Sequence, residues 1–339
     1  MTSPLPDELA SRLRGRIVLV TGGLGFIGSN LAFALVDAGC DVTLVDALVP
    51  GHGGNHANIE GLEGAKVVLA DLRDSELIAP LVERAELVFN LAGQTSHLDS
   101  MDDPFGDLEL NCRAQLVLLE NCRRRNPEAR IVFAGTRQVY GRPQMLPVSE
   151  EHPIDPVDVN GIHKLAAEWY HLLYGRVYGP TVTVLRLTNT YGPRMRVRDA
   201  RQTFLGVWIK QLLTGERLQV YGDGSQRRDF TYVDDAVRAL CLAVVDDAVA
   251  DEVLNVGSRE PVSLLDLAQR LVALNGGGAY DVVPFPPDRL AIDIGDYFAD
   301  SSKLEQRLGW SPEVDLEEGL GRTLEYFRSR GGRYWEGPE

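Results

Sequence analysis

Apolar positions in this chain gather into short runs set between longer segments of helical spacing. Runs at 16–20 (RIVLV), 42–45, 66–70, 87–91, 130–134 and 181–187 have the length and branched content of buried strands. Helix-like segments lie between most of them, the first from 26 to 38 directly behind a glycine-rich turn. Strand and helix alternating in this way predict an α/β fold with a doubly wound parallel sheet. After Tyr191 the texture changes: Gly, Pro and Arg punctuate shorter elements, with helices predicted near 204–213, 234–245, 264–274 and 317–329. The expected organisation is therefore a larger doubly wound domain over 1–190 and a smaller mixed α/β lobe over 191–339. A further strand near 252–256 is a candidate to return to the first sheet.

The turn behind the first strand reads TGGLGFIG at 21–28, with Gly22, Gly25 and Gly28 spaced as GxxGxxG. Without Cβ atoms these glycines allow a tight turn, a close backbone approach to a pyrophosphate, and close packing of the following helix, whose N-terminus faces the anion. Such a motif alone is weak evidence, but here a strand precedes it and a helix follows. Asp46 ends the second strand, where a carboxylate can accept both ribose hydroxyls and would repel a 2′-phosphate. The fold is thus expected to be Rossmann-type and the cofactor NAD in preference to NADP. Asp71-Leu72 and Leu91-Ala92-Gly93 end the third and fourth strands, where loops line the crevice.

Composition narrows the partners. At 339 residues and 44% hydrophobic content the chain can bury a sizeable core. A formal net charge of −15 repels polyanions at long range, so neither nucleic acid nor a membrane surface is an expected partner. Cys40, Cys112, Cys122 and Cys241 form no C-x-x-C pair and no zinc-spaced grouping, which predicts reduced packing residues and no metal site. No run approaches the ~18 apolar residues of a membrane span and the N-terminus lacks a signal-like apolar core, so the protein is expected to be cytoplasmic.

Further motifs follow in order: DLR at 71–73, NLAG at 90–93, AGTRQVYG at 134–141, RLTNTYGPR at 186–194, YGDGSQRRDFTYVDD at 221–235 and ADSSKLEQRLGW at 299–310. Together with TGGLGFIG they resemble the extended short-chain dehydrogenase/reductases, in the nucleotide-sugar epimerase/dehydratase group that includes UDP-glucose 4-epimerase. The resemblance covers nearly the whole chain. It implies NAD contacts from Gly22, Gly25, Phe26, Ile27, Gly28, Asp46, Asp71, Leu72, Leu91, Ala92, Gly93, Asn111 and Lys164. It also implies that Asn189, Arg228 and Arg289 hold the diphosphate of a nucleotide sugar, with Tyr221 near the base. The chemistry agrees, because a guanidinium fork suits phosphate oxygens and an aromatic face suits a base. The alternative for Arg228 is a salt bridge to Asp229 or Asp234, and Arg289 reads equally as a surface cation.

Members of that family use a Ser or Thr, a Tyr, and a Lys four residues after the Tyr. The first position is Thr136 and the last is Lys164, but the Tyr position is Asn160. An amide can orient a hydroxyl yet cannot serve as a general base near neutral pH. Either another group moves the proton, or Asn160 only orients substrate and turnover is slow. His163, one turn from Asn160, and His97, after the fourth strand, are the candidate bases, each with a bland reading as a surface histidine. Family 4,6-dehydratases carry Asp-Glu after the hydroxyl residue and the uronate decarboxylases a Glu, whereas this chain has Arg137-Gln138, which disfavours water elimination. Arg137 could instead face a substrate carboxylate or phosphate, or the surface.

The reading is 4-epimerisation of a UDP-hexose through a transient 4-keto sugar. Two alternatives stand beside it: net oxidation or decarboxylation that releases a keto sugar, and a catalytically impaired binding protein. The resemblance also implies a homodimer through the segments 107–124 and 161–174.

Overall fold

The computed structural model describes residues 5–201 and 203–335. Its main sheet has seven strands: β1 (Ile17–Thr21), β2 (Asp41–Asp46), β3 (Ala65–Leu69), β4 (Leu87–Asn90), β5 (Arg130–Thr136), β6 (Thr181–Leu187) and a last one, Val253–Val256, supplied by the C-terminal half. Across the sheet the order is Val253–Val256, β6, β5, β4, β1, β2, β3, and every pairing is parallel.

Helices cover both faces, because successive side chains along a strand point opposite ways. In β1, Val18 and Val20 enter the core beneath the helices Phe26–Asp37 and Val233–Val245. Leu19 enters the opposite layer, beneath Ser75–Arg84, Ala114–Arg125 and Val159–Tyr178. Burial on both sides is why these strands read as unbroken apolar runs. Only the edge strand β3 leaves branched and leucyl side chains, Val67 and Leu69, exposed.

From β1 the chain winds outward to β2 and β3, then crosses back to β4 on the other side. The loops leaving β1 and β4 therefore diverge, and a crevice opens at their carboxyl ends. Thr21 fixes its floor: its hydroxyl donates to Asn90 Oδ1 at 2.7 Å and accepts from the amides of Leu91 and Ala92. Beyond β6 the chain adds the helices Phe204–Thr214, Leu264–Leu274 and Leu316–Arg330 and, among the described residues, three short strand pairs, and from this part Thr203 lines the cleft.

The segment 107–124 is not one regular helix. A short helix Pro104–Leu108 runs into a π-helical turn, Glu109–Arg113, before Ala114–Arg125. The wider turn carries Asn111 inward, where it exchanges hydrogen bonds with the backbone of Gln94. Among the described residues no helix is long and apolar enough to cross a membrane, and no cluster of His, Cys, Asp and Glu is arranged to hold a metal ion.

Candidate active site

One continuous cleft runs from the glycine turn to the loops after β4, β5 and β6. At its first end Gly22 has φ +66, and a Cβ there would meet the Ala92 nitrogen at 2.9 Å. A Cβ on Gly28 would come within 2.2 Å of the Gly22 carbonyl oxygen. Gly25, Phe26 and Ile27 complete the turn and open the helix Phe26–Asp37, whose first amides face the cleft. Asp46 accepts the Leu24 amide on one oxygen and the Leu48 amide on the other, at 3.0 and 2.9 Å. Burial raises its carboxyl above the usual range, against the opposing pull of those two amides. Asp71, Leu72, Leu91, Ala92 and Gly93 line the same wall. Asp71 is held by Arg73, at 2.6 Å, whose hydrogen bonds keep its carboxyl below the ordinary value.

At the far end Thr136 caps the short helix Arg137–Tyr140, its hydroxyl accepting the Gln138 amide at 3.2 Å. Lys164 reaches the cleft from the first turns of Val159–Tyr178, and a Cβ on Gly93 would lie 2.9 Å from its Nζ. Burial pulls this ammonium down to about 8, with Asp107 and Cys112 opposing. The Phe133 ring lies beneath it, 5.3 Å away.

Asn160 lines the cleft and is tied back from it through its nitrogens. Its side-chain nitrogen donates to the Gln94 carbonyl, to Gln94 Oε1 and to Asp107 Oδ2 at 3.0–3.1 Å. Its backbone amide donates to the Ser100 hydroxyl. The same Asp107 receives His163 Nδ1 on its other oxygen at 2.7 Å. His163 is absent from the cleft lining, whereas His97 is part of it. His97 Nδ1 lies 3.0 Å from Asp158 Oδ2, an ion-pair contact that falls short of hydrogen-bond geometry and leaves Nδ1 buried without a hydrogen-bond partner. Asp158 in turn accepts Gln138 Nε2 and the Gly161 amide, each at 2.7 Å. Burial pushes the Asp158 carboxyl up, but His97, Gly161 and Gln138 outweigh it and hold it below the ordinary range. No tyrosine lines this cleft among the described residues: Tyr140 is buried with its hydroxyl on Asn255, and Tyr191 is buried in the core.

The remaining sequence candidates divide. Asn189 lines the cleft, accepting Arg137 Nη2 at 3.2 Å and donating to the Asp229 carbonyl. Asn111 stands behind the wall, bonded to Gln94. Tyr221, Arg228 and Arg289 lie outside the cleft lining. Arg289 stacks over Tyr221, 5.6 Å from its centroid, and Phe285 packs on the same ring. Arg228 pairs with neither Asp229 nor Asp234; it is buried, bonded to the Gly295 carbonyl and 3.6 Å from Asp293. Burial, with Arg137 nearby, lowers its guanidinium to about 10.

Sequence reasoning passed over Asp107 and Asp158. Asp158 carried a signal, since an Asp three residues before Gly161 at the start of a helical pattern reads as an N-cap. Asp107 carried none, because its partners lie more than fifty positions away.

Residues 18–257 match the NAD dependent epimerase/dehydratase family. The chain belongs to that family. It is 33% identical over 314 residues to the UDP-glucose 4-epimerase of Mycolicibacterium smegmatis, covering 92% of this chain and 98% of the relative. It is equally 33% identical to UDP-glucuronic acid decarboxylase 1 of Xenopus tropicalis, covering 95% of this chain and 75% of that one. Among solved structures, the UDP-glucose 4-epimerase of Thermotoga maritima with UDP-glucose superposes with a TM-score of 0.84 at 33% identity, covering 92% of this chain and 98% of the other. Family enzymes use NAD, and the first half of the cleft fits it: the positions closed to a Cβ are those a pyrophosphate must approach, and Asp46 waits where a ribose would lie.

Proposed function

We propose that this protein catalyses 4-epimerisation of a UDP-hexose, as a homodimer. Bound NAD supplies the acceptor and donor of hydride at the sugar carbon. The observation that carries the reading is the cleft itself, which joins the glycine cradle and Asp46 to Thr136 and Lys164 without interruption. Thr136 offers a hydroxyl to the sugar, and Lys164 offers a cation to the nicotinamide ribose. Arg137 and Gln138, following Thr136, provide no acid for elimination at the neighbouring carbons.

A second reading rests on Arg137. Its guanidinium lines the cleft, makes no ion pair among the described residues, and keeps Nη1 buried without a hydrogen-bond partner. It stacks over Tyr297 at 5.0 Å, and burial lowers its pKa. Such a group suits a sugar bearing a carboxylate, which favours a UDP-hexuronate as substrate for epimerisation or decarboxylation.

Incubation with UDP-glucose, UDP-galactose, UDP-glucuronate and UDP-N-acetylglucosamine, followed by NMR and NADH absorbance, tests both readings. The first expects a 4-epimer without accumulating NADH. Conversion of the uronate alone, with loss of carbon dioxide or release of a ketone, would replace it with the second. Tight binding with no conversion of any of the four would leave a binding protein and overturn both.

A further inference from the structure

We infer that His97, oriented by Asp158, is the group that carries the substrate hydroxyl proton in this protein; the inference rests on the hydride chemistry proposed above. A carbinol oxidised at carbon must lose its hydroxyl proton to a base, and the return half must deliver one. In the half of the cleft beyond Gly93 the side chains able to exchange a proton near neutral pH are few. Asn160 has no such proton, and its amide is committed to Gln94 and Asp107. His163 spends Nδ1 on Asp107 and does not line the cleft. No phenol is among the described lining residues. Lys164, at about 8, is mostly an ammonium at neutral pH and adjoins Gly93. His52 lines the cleft as well; its loop runs from Gly54, where a Cβ would lie 3.0 Å from Asp46 Oδ1, to Gly51, which abuts Arg201 of the Arg201–Asp99 pair, but no contact among the described residues links its ring to Thr136. His97 is the histidine that such contacts do link to Thr136.

Its placement is built in. His97 begins the helix His97–Asp102, which Ser96 caps through the Asp99 amide. Ser100 of that helix accepts the Asn160 amide, so the helix is fastened to Val159–Tyr178 at Asn160. Thr136, Gln138, Asp158 and His97 form one chain of contacts: Gln138 amide to Thr136 hydroxyl at 3.2 Å, Gln138 Nε2 to Asp158 Oδ2 at 2.7 Å, and His97 Nδ1 to the same oxygen at 3.0 Å. The ring is thereby tied to the very hydroxyl that meets the sugar. A buried carboxylate 3.0 Å from Nδ1 favours the proton there and leaves Nε2 as the acceptor of a ring that lines the cleft. Asp158 acts as a positioning residue and His97 as the catalytic one.

The proton balance is closed. The sugar O–H bond breaks with its electron pair left on oxygen, and the proton forms a bond to His97 Nε2. In the return half that N–H bond breaks and the proton rejoins the oxygen. His97 ends as it began, and no external acid, base or oxidant enters.

The test uses the full chain with the substitutions His97→Gln, Asp158→Asn and His163→Gln. His97→Gln is expected to lower kcat by about 10²–10⁴ with KM within about threefold, and by at least tenfold more than His163→Gln. Asn at 158 can still cap the helix through one oxygen, but it turns an amide toward His97 and favours the wrong tautomer. Long-range proton–nitrogen NMR of the histidine rings, which needs neither substrate nor turnover, should show His97 protonated at Nδ1 in the wild type and at Nε2 in Asp158→Asn. A kcat within about threefold of wild type for His97→Gln, or a wild-type ring protonated at Nε2, would overturn the proposal. Should the wild type convert none of the four sugar nucleotides, the epimerase reading fails, and the tautomer alone then decides the His97–Asp158 arrangement. Should Asp158→Asn fail to fold, the wild-type tautomer and His97→Gln decide it.

Discussion

Lys164 concentrates the electrostatics of the site. Its ammonium is buried, and its pKa falls from an ordinary 10.5 to about 8. Between these two values the unfolded chain holds a proton that the folded chain has released, so the contribution of Lys164 to stability rises as pH climbs from about 8 to 10.5. Below about 8 both states hold the proton, and burying the charge costs at most roughly 3 kcal/mol. Replacing the side chain by an apolar one of similar length removes that cost. Lys164→Met is therefore expected to be more stable than wild type at pH 7 by about 1–3 kcal/mol, with the gap closing above pH 8. Urea denaturation of both proteins from pH 7 to 10 measures it, and a gap that widens with pH would contradict the assignment. The sequence singled out Lys164 by its place four residues after Asn160. That it lies over Phe133 and against Gly93 followed only from folding.

Among the elements, the helix Val159–Tyr178 does most to assemble the site, since it carries Asn160, His163 and Lys164 past the ends of β4 and β5. It is pinned to β6 by a buried bidentate pair, Glu168 to Arg186, at 2.5 and 2.9 Å. Arg186 also stacks on Tyr140 at 4.7 Å. Removing one partner of a buried pair leaves the other charge stranded, at a cost of about 3–5 kcal/mol. Glu168→Ala should lower stability by about 3 kcal/mol in urea denaturation and reduce turnover through displacement of Lys164. A loss below about 1 kcal/mol would mean that water readily replaces the carboxylate. Apolar spacing, a short-range signal, marked the segment 161–174 of this helix, while its Asp158 cap, equally local, was passed over. The π-helical turn Glu109–Arg113 had no such signal, since one extra backbone residue per turn is set by what Asn111 must reach.

Over the whole molecule, the same helix leaves an unpaired apolar stripe. Ile162, Trp169, Leu173 and Val177 recur at helical spacing on its outer side, each more than half exposed. Phe105, 78% exposed, and Leu108 extend the patch from the neighbouring helix. In the proposed homodimer a two-fold pairing would present this stripe to itself and cover it. Trp169→Glu is expected to shift the protein from dimer to monomer in light scattering at micromolar concentration. A wild type that runs as a monomer would remove the proposal.

Sequence by itself determined the nucleotide-binding half of this protein. The strand, glycine turn, helix and Asp46 lie within thirty residues, so their geometry follows from local sterics: Gly22 must take positive φ, and Gly28 must let the helix pass the Gly22 carbonyl. The layered parallel sheet was legible for the same reason, because unbroken apolar runs report burial on both faces. Asn160, four residues before Lys164, was visible as well, but its surroundings were not. Which histidine faces the cleft depends on how helices leaving β4 and β5 meet. His97 and Asp158 are sixty-one positions apart yet 3.0 Å from each other, while His163, beside Asn160 in sequence, turns to Asp107. Rotation about a helix axis and the pairing of distant carboxylates decided that, and neither is written in the spacing of residues along the chain.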